Sequence, residues 1–224
     1  MNGKILFILV FICSMANAQQ KDWANLRFYE KENLALAEEI PLEDHIVFMG
    51  NSITQFWKPT RPEFFDKNPY LDRGISGQTT SQMLLRFRQD VIDLQPKAVV
   101  ILAGINDIAE NTGPIKVENI FGNIVSMVEL AKANDIEVIL CSVLPAAAFP
   151  WNAKIDPKQK IIQLNNLLSA YATKHDISYV DYYDAMVMEN LSLNTEYAED
   201  GVHPNKKGYS VMEPLVEQAI ENLK

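Results

Sequence analysis

His45-Ile46-Val47-Phe48-Met49, running directly into Gly50-Asn51-Ser52-Ile53-Thr54, is the stretch whose reading decides the fold. A short apolar run suits a strand, and the glycine, amide and hydroxyl residues after it are turn chemistry. Further runs of the same kind lie at Ala98-Val99-Val100-Ile101-Leu102-Ala103, Glu137-Val138-Ile139-Leu140-Cys141-Ser142 and Ile177-Ser178-Tyr179-Val180, with a weaker one at Tyr70-Leu71-Asp72-Arg73. Two of these runs are continuously apolar and β-branched, as strands buried on both faces are. Between them, residues 80–94, 117–134 and 157–174 repeat apolar side chains at three- and four-residue spacing. An amphipathic helix is expected at about 22–39 and a last one at about 205–223, after His203-Pro204. Alternating strand and helix predict an α/β domain, a parallel sheet with helices on both faces.

Composition sets the outer limits. The 224 residues are 48% hydrophobic and 22% charged, which suits one well-filled globular core. A formal charge of −9 without blocks of like charge argues against binding a nucleic-acid backbone. Two cysteines and no CxxC pair exclude a disulfide framework and a structural zinc site.

The N-terminus reads as a targeting segment. Lys4, the apolar run Ile5 to Ile12 and the closing Ala16-Asn17-Ala18 have the shape of a secretory signal peptide cleaved after Ala18. The apolar run is too short for a bilayer-spanning helix, which needs about 20 residues, so no stable membrane anchor is expected. Cys13 follows Phe11-Ile12 rather than a small residue, unlike a lipoprotein acylation site. The division expected is 1–18 as signal peptide and 19–224 as a single domain. Cleavage removes Lys4 and no acid, leaving 19 bases against 29 acids, or −10, and Cys141 as the remaining cysteine. The expected location is periplasmic or secreted.

In open parallel sheets, ligands bind beyond the carboxyl ends of the strands. Four polar clusters occupy such positions or precede the last helix: Gly50-Asn51-Ser52-Ile53-Thr54, Gly74-Ile75-Ser76-Gly77-Gln78-Thr79, Gly104-Ile105-Asn106-Asp107 and Asp200-Gly201-Val202-His203-Pro204. In order and spacing they resemble the blocks of the SGNH hydrolases, the GDSL esterase and lipase family, over nearly the whole chain after the leader. One departure is Asn51, where that family usually has Asp. The resemblance implies a three-layer α/β/α sandwich around a flavodoxin-like five-stranded parallel sheet. It also implies a serine esterase or acylhydrolase that needs neither cofactor nor metal.

The residues make chemical sense in that light. A serine hydroxyl attacks an ester only when a base takes its proton, so Ser52 needs an imidazole within about 2.6–3.2 Å. Of the three histidines, His45 opens a strand and His175 ends a helix, whereas His203 follows Asp200 by three residues on one expected turn. A carboxylate there fixes the tautomer and stabilises the imidazolium. Ser52, Asp200 and His203 are therefore the expected catalytic residues. The resemblance assigns the oxyanion hole to the backbone N–H groups of Ser52 and Gly77 and the side-chain amide of Asn106. Asp107 is expected to cap a turn or brace its loop, Ser76 to bond within a turn, and Cys141 to pack in the core.

The loop Val143-Leu144-Pro145-Ala146-Ala147-Ala148-Phe149-Pro150-Trp151 invites two readings, a wall for an acyl group or sugar face, or a stiff loop packed on its neighbours. Asn51, Phe149 and Trp151 are taken as pocket residues, with Gln55, Phe56 and Trp57 raising the same question. The absence of an insertion large enough for a lid favours short-chain or soluble esters, such as carbohydrate O-acetyl groups. Lysophospholipids, or a non-catalytic relative that binds glycans, are the alternatives. A flavodoxin-like cofactor site is disfavoured because no glycine-rich phosphate cradle follows the first strand. The expected partner is a small-molecule or glycan ester, and oligomeric state is left open.

Overall fold

Ile46–Gly50 (β1), Tyr70–Gly74 (β2), Ala98–Leu102 (β3), Glu137–Cys141 (β4) and Ser178–Val180 (β5) form one parallel sheet in the order β2-β1-β3-β4-β5. They come from a computed structural model that describes residues 22–36 and 38–223. The expected signal peptide, with Cys13, lies outside the described residues. Around the sheet run α1 (Glu30–Ala35), α2 (Ser52–Gln55), α3 (Trp57–Thr60), α4 (Pro62–Asp66), α5 (Thr80–Asp90), α6 (Ile105–Ile108), α7 (Val117–Lys132), α8 (Lys158–His175), α9 (Tyr182–Met186) and α10 (Lys206–Glu221). This is the predicted α/β fold with a flavodoxin-like strand order, whose switch point falls between β1 and β3.

The two central strands are buried along their whole length, as their apolar sequences require. Right-handed crossovers put the β1–β2 connection on one face and the connections carrying α5, α7 and α8 on the other. On the first face Phe48, Trp57, Phe64 and Phe65 make an aromatic cluster, and Trp57 stacks on Tyr209 of α10 at 5.2 Å. Each large side chain buried this way contributes about 1.5–3 kcal/mol.

Two expected helices are corrected. The amphipathic helix at 22–39 is a series of turns followed only by the six residues of α1. Asp22 accepts from the N–H groups of Leu26 and Arg27, and Asn25 is left-handed (φ 53°), which breaks a continuous helix. Tertiary anchors hold this segment instead: Tyr29 donates to the Gly74 carbonyl at 2.6 Å, and Asn33 bonds Arg73 and Asp90. The second correction concerns residues 80–94, where α5 stops at Asp90 and a 3-10 turn takes Ile92–Leu94. Gln95 then turns left-handed (φ 49°) ahead of Pro96, whose ring disfavours helix in the residue before it.

Where β1 and β2 end, paired Gly50 and Gly74 let the chain pass closer than any side chain permits. A Cβ at Gly50 would sit 2.0 Å from Thr54 Oγ1, and one at Gly74 2.2 Å from the Gln55 backbone nitrogen. The short α2 therefore rests directly on the strand ends, which puts Ser52 at the carboxyl edge of the sheet.

Candidate active site

Ser52 is the first residue of α2. Asn51 caps that turn, its Oδ1 accepting from the Ile53 N–H at 2.9 Å. The Asn51 and Ser52 carbonyls accept from Gln55 and Phe56 and close the turn. Asn51 is thus a buried cap, 1% exposed, and not the pocket-lining side chain expected from the sequence. The reason is geometric: its side chain folds back on its own backbone to satisfy an N–H that the first helical turn leaves unpaired.

The loop before α10 brings His203 to this serine across 151 residues. His203 Nε2 lies 2.9 Å from Ser52 Oγ, and Nδ1 lies 2.6 Å from Asp200 Oδ2. The other oxygen of Asp200 accepts from the backbone N–H groups of Val202 and His203 at 2.9 and 2.8 Å. One carboxylate therefore shapes the turn and orients the ring. Because it accepts at Nδ1, that nitrogen carries the hydrogen and Nε2 keeps a lone pair for the hydroxyl. Partial burial pushes the Asp200 carboxyl up, but the bonds from the His203 ring and the two backbone N–H groups outweigh it and hold the group below its usual range.

Two packed contacts keep the serine and histidine segments in register. Tyr209, one turn into α10, donates to the Ile53 carbonyl at 2.8 Å, beside Ser52. Glu213, one turn further on, receives Arg61 through two bonds of 2.9 and 2.7 Å and Trp57 Nε1–H at 3.3 Å.

The expected oxyanion residues sit on neighbouring loops. Asn106, in α6 beyond β3, is 3% exposed, and its Nδ2 donates to the Gln78 carbonyl at 3.0 Å, leaving its second amide hydrogen for another acceptor. Gly77 precedes Gln78 in the loop after β2, with φ of 78°. That loop is tied to the serine turn, since Ser76 N–H and Oγ both donate to Gln55 Oε1 at 2.7 Å. Asp107 accepts from the Thr80 N–H and hydroxyl at 2.9 and 2.6 Å, so it holds the start of α5 and bonds no histidine. Burial raises its carboxyl to about 6 against those two bonds.

Two aromatic rings flank the imidazole. Phe56 lies 5.6 Å from it and Trp151 6.0 Å, centroid to centroid, and both are more than 40% exposed. Phe149 differs from expectation: it is fully buried and stacks behind Trp151 at 5.3 Å, so it supports the wall without forming its surface. The loop is buried from Val143 to Ala146 and exposed at Ala147 and Ala148, and Phe149 turns back into the core, where its large apolar ring leaves water. Trp57 is likewise core, 1% exposed. Cys141 is a buried free thiol whose surroundings push it up to about 12. His45 and His175 lie away from Ser52, and His175 stacks on Tyr171.

Behind the site is a buried polar network that sequence reading missed. Arg86 donates to Gln78 Oε1, Asp90 Oδ2 and the carbonyls of Gly50 and Arg73, joining the ends of β1 and β2 to the Gly77 loop. A signal for it exists, because Arg86 and Asp90 share the α5 face of Met83 and Phe87. Among the described residues, no group of three His, Cys, Asp or Glu side chains converges to hold a metal ion.

Comparison with known proteins agrees with this geometry. Residues 48–211 match the model of the GDSL-like Lipase/Acylhydrolase family. The structure of a GDSL-like lipase from Bacteroides thetaiotaomicron is 56% identical and superposes with a TM-score of 0.86, covering 88% of this chain and 98% of that one. Platelet-activating factor acetylhydrolase IB subunit alpha2 of Rattus norvegicus is 26% identical over 189 residues, 81% of this chain and 78% of that protein. A 78-residue stretch is 36% identical to an uncharacterized lipoprotein of Bacillus subtilis, spanning 34% of this chain and 32% of that protein.

Proposed function

Since the chain belongs to the GDSL-like lipase/acylhydrolase family and is on that ground a carboxylic ester hydrolase, we propose that it is an exported serine esterase acting through an acyl-enzyme on Ser52. The observation that carries this reading is the continuous chain from Ser52 Oγ through His203 to Asp200, with links of 2.9 and 2.6 Å.

In the proposed mechanism, the Ser52 hydroxyl attacks the ester carbonyl while His203 Nε2 takes its proton, and Asp200 steadies the resulting imidazolium. The N–H groups of Ser52 and Gly77 and the amide of Asn106 receive the negative charge that develops on the carbonyl oxygen; each such donor is typically worth about 10²–10³ in turnover. The tetrahedral intermediate collapses, the bond to the leaving alkoxide breaks, and His203 returns the proton to it. Water then repeats the sequence with His203 as base, releasing the acid and restoring the hydroxyl.

The preferred substrates are short acyl esters of soluble alcohols, such as O-acetylated carbohydrates. Supporting this, the rings nearest the imidazole are flat and exposed, and the chain is acidic. A second reading, an acylhydrolase on a lipid alcohol, draws on the name of the acetylhydrolase relatives. The net negative charge disfavours it at anionic lipid surfaces. Export to the periplasm or medium rests on the N-terminal segment, with cleavage after Ala18.

The test is hydrolysis of p-nitrophenyl acetate by the wild type, Ser52→Ala and His203→Ala. Activity in the wild type alone is expected, together with fluorophosphonate labelling of Ser52; unchanged turnover in either variant would overturn the reading. Acetylated xylan and lysophosphatidylcholine, compared in parallel, separate the two substrate classes.

A further inference from the structure

Ile75 and Gln78 are buried and the Gln78 N–H closes a turn on the Ile75 carbonyl at 3.3 Å, but Gly77 between them has open space where a side chain would be. Its φ is +78°, and a Cβ built there would meet nothing within 4 Å. Glycine is the residue with the widest backbone freedom, so the direction of its N–H must be set by bonds on the peptides to either side. Upstream, Ser76 is held by Gln55. Downstream, the Gly77 carbonyl accepts from Nδ2 of Asn111 at 3.2 Å. The Gly77 N–H lies between these two clamps.

Asn111 does more than close one of them. Its backbone N–H donates to the Asn106 carbonyl at 3.0 Å, and its Oδ1 accepts from Trp151 Nε1–H at 3.0 Å. The amide orientation follows from chemistry: a carbonyl on one side needs a donor, an indole N–H on the other needs an acceptor, and only one of the two flips serves both. A single side chain thus joins the aromatic wall beside His203 to the loop of Gly77, while its own backbone holds the residue that carries the second candidate donor. A neighbouring bond, from Asn152 Nδ2 to the Ala109 carbonyl at 3.0 Å, seats the Trp151 loop against the segment that carries Asn111.

We propose, on the basis of the serine-esterase reading above, that Asn111 is a positioning residue that couples Trp151 to the Gly77 and Asn106 donors. His203 must reach the leaving oxygen, so the rings beside its imidazole line the alcohol side of the scissile bond. An alcohol with a flat apolar face, such as a pyranose, rests on the indole and holds it against Asn111, which in turn holds the oxyanion side in its productive geometry. Contact with the alcohol, remote from the reacting carbonyl, is thereby expressed in turnover and not only in binding. Esters of ring alcohols then turn over faster than esters of small flexible alcohols with the same acyl group.

The test compares kcat and KM for an acetylated methyl xyloside and for ethyl acetate in the wild type, Asn111→Ala, Asn111→Asp and Trp151→Phe. Asn111→Asp keeps the acceptor for the indole but sets an oxygen against the Gly77 carbonyl. Trp151→Phe keeps an aromatic ring but removes the linking N–H together with part of the flat face, so loss of face area is read in KM and loss of the link in kcat. Both Asn111 variants should lose about 10-fold or more in kcat on the xyloside and less on ethyl acetate, with KM within about 2-fold, because a misplaced donor weakens the transition state more than the ground state and the ring alcohol's advantage is lost as well. Trp151→Phe should lose about 3-fold in kcat on the xyloside and little on ethyl acetate, since only the ring alcohol engages the wall. A kcat ratio between the two substrates that stays at the wild-type value in Trp151→Phe and in either Asn111 variant overturns the coupling. Should the Asn111 variants fail to fold, Trp151→Phe, altered on an exposed loop, decides alone by the same ratio. Wild-type labelling of Ser52 by a fluorophosphonate is scored separately, so failure of the serine reading is distinguished from failure of the coupling.

Discussion

Arg86 and Asp90, one turn apart on α5, form an ion pair of 2.9 Å in which neither side chain reaches solvent. Burial pushes the guanidinium down and Asp90 pushes it back up. Four of its five N–H groups are used, two of them on the Gly50 and Arg73 carbonyls at the ends of β1 and β2. Removing one member strands the other: Arg86→Leu should lose about 3–5 kcal/mol of stability, read from urea unfolding. The double variant Arg86→Leu/Asp90→Leu should recover part of that loss, because no unpaired charge remains buried. A single variant as stable as the wild type would mean that the network is dispensable.

Asp200 fixes the hydrogen of His203 on Nδ1, so its replacement by Asn should cost more than a hydrogen bond. An amide in that place can donate to Nδ1 and favour the tautomer that holds a hydrogen on Nε2, facing Ser52. Asp200→Asn should lower kcat about 10³–10⁴-fold with the fold retained, as measured by p-nitrophenyl acetate turnover beside circular dichroism. A loss of less than 10-fold would show that another group orients the imidazole.

The raised carboxyl of Asp107 makes a pH-dependent contribution to stability. Its folded value of about 6 stands above the ordinary value of 3.8, so the folded state holds the proton more tightly than the unfolded chain. That contribution is fully present below pH 4, fades as pH rises through 6 and is gone above it. The span corresponds to a difference on the order of 3 kcal/mol. Asp107→Asn should therefore flatten the stability profile between pH 4 and 7, measured as unfolding midpoints across that range. A wild-type-minus-variant difference that does not change with pH would contradict this assignment.

Asn51 caps the serine turn through one oxygen, a role that a carboxylate fills equally well. Asn51→Asp should leave stability within about 1 kcal/mol and activity little changed, given that the cap is the part of the side chain in use. A large gain in kcat would instead show that the charge beside Ser52 matters and that this chain is tuned down.

How much of this was legible in the sequence depended on distance along the chain. The alternation of apolar runs and helical patterns is local, and β1 to β5 fall within a residue or so of the runs that announce them. Ser52, Asp200 and His203 are picked out by the joint order of four clusters and the family they resemble, since each local pattern alone is common turn chemistry, and the fold brings the three side chains together. The same reasoning failed at Phe149 and Asn51. Whether a side chain faces solvent or core in an irregular loop has no period to read, and a cap is recognised only once the helix start is known.

The sequence by itself therefore determined the alternation of strands and helices, the layers they form and which polar residues follow the strands, because periodicity and turn preference act over a few residues. Only the tertiary structure decided that Tyr29 and Asn33 anchor an otherwise irregular N-terminal segment, that Arg86 knots the strand ends, and that Asn111 links Trp151 to Gly77. Each of these bonds joins side chains that are far apart in sequence or leave an irregular loop. Their partners are set by how helices pack on the sheet, and no neighbouring residue records that packing.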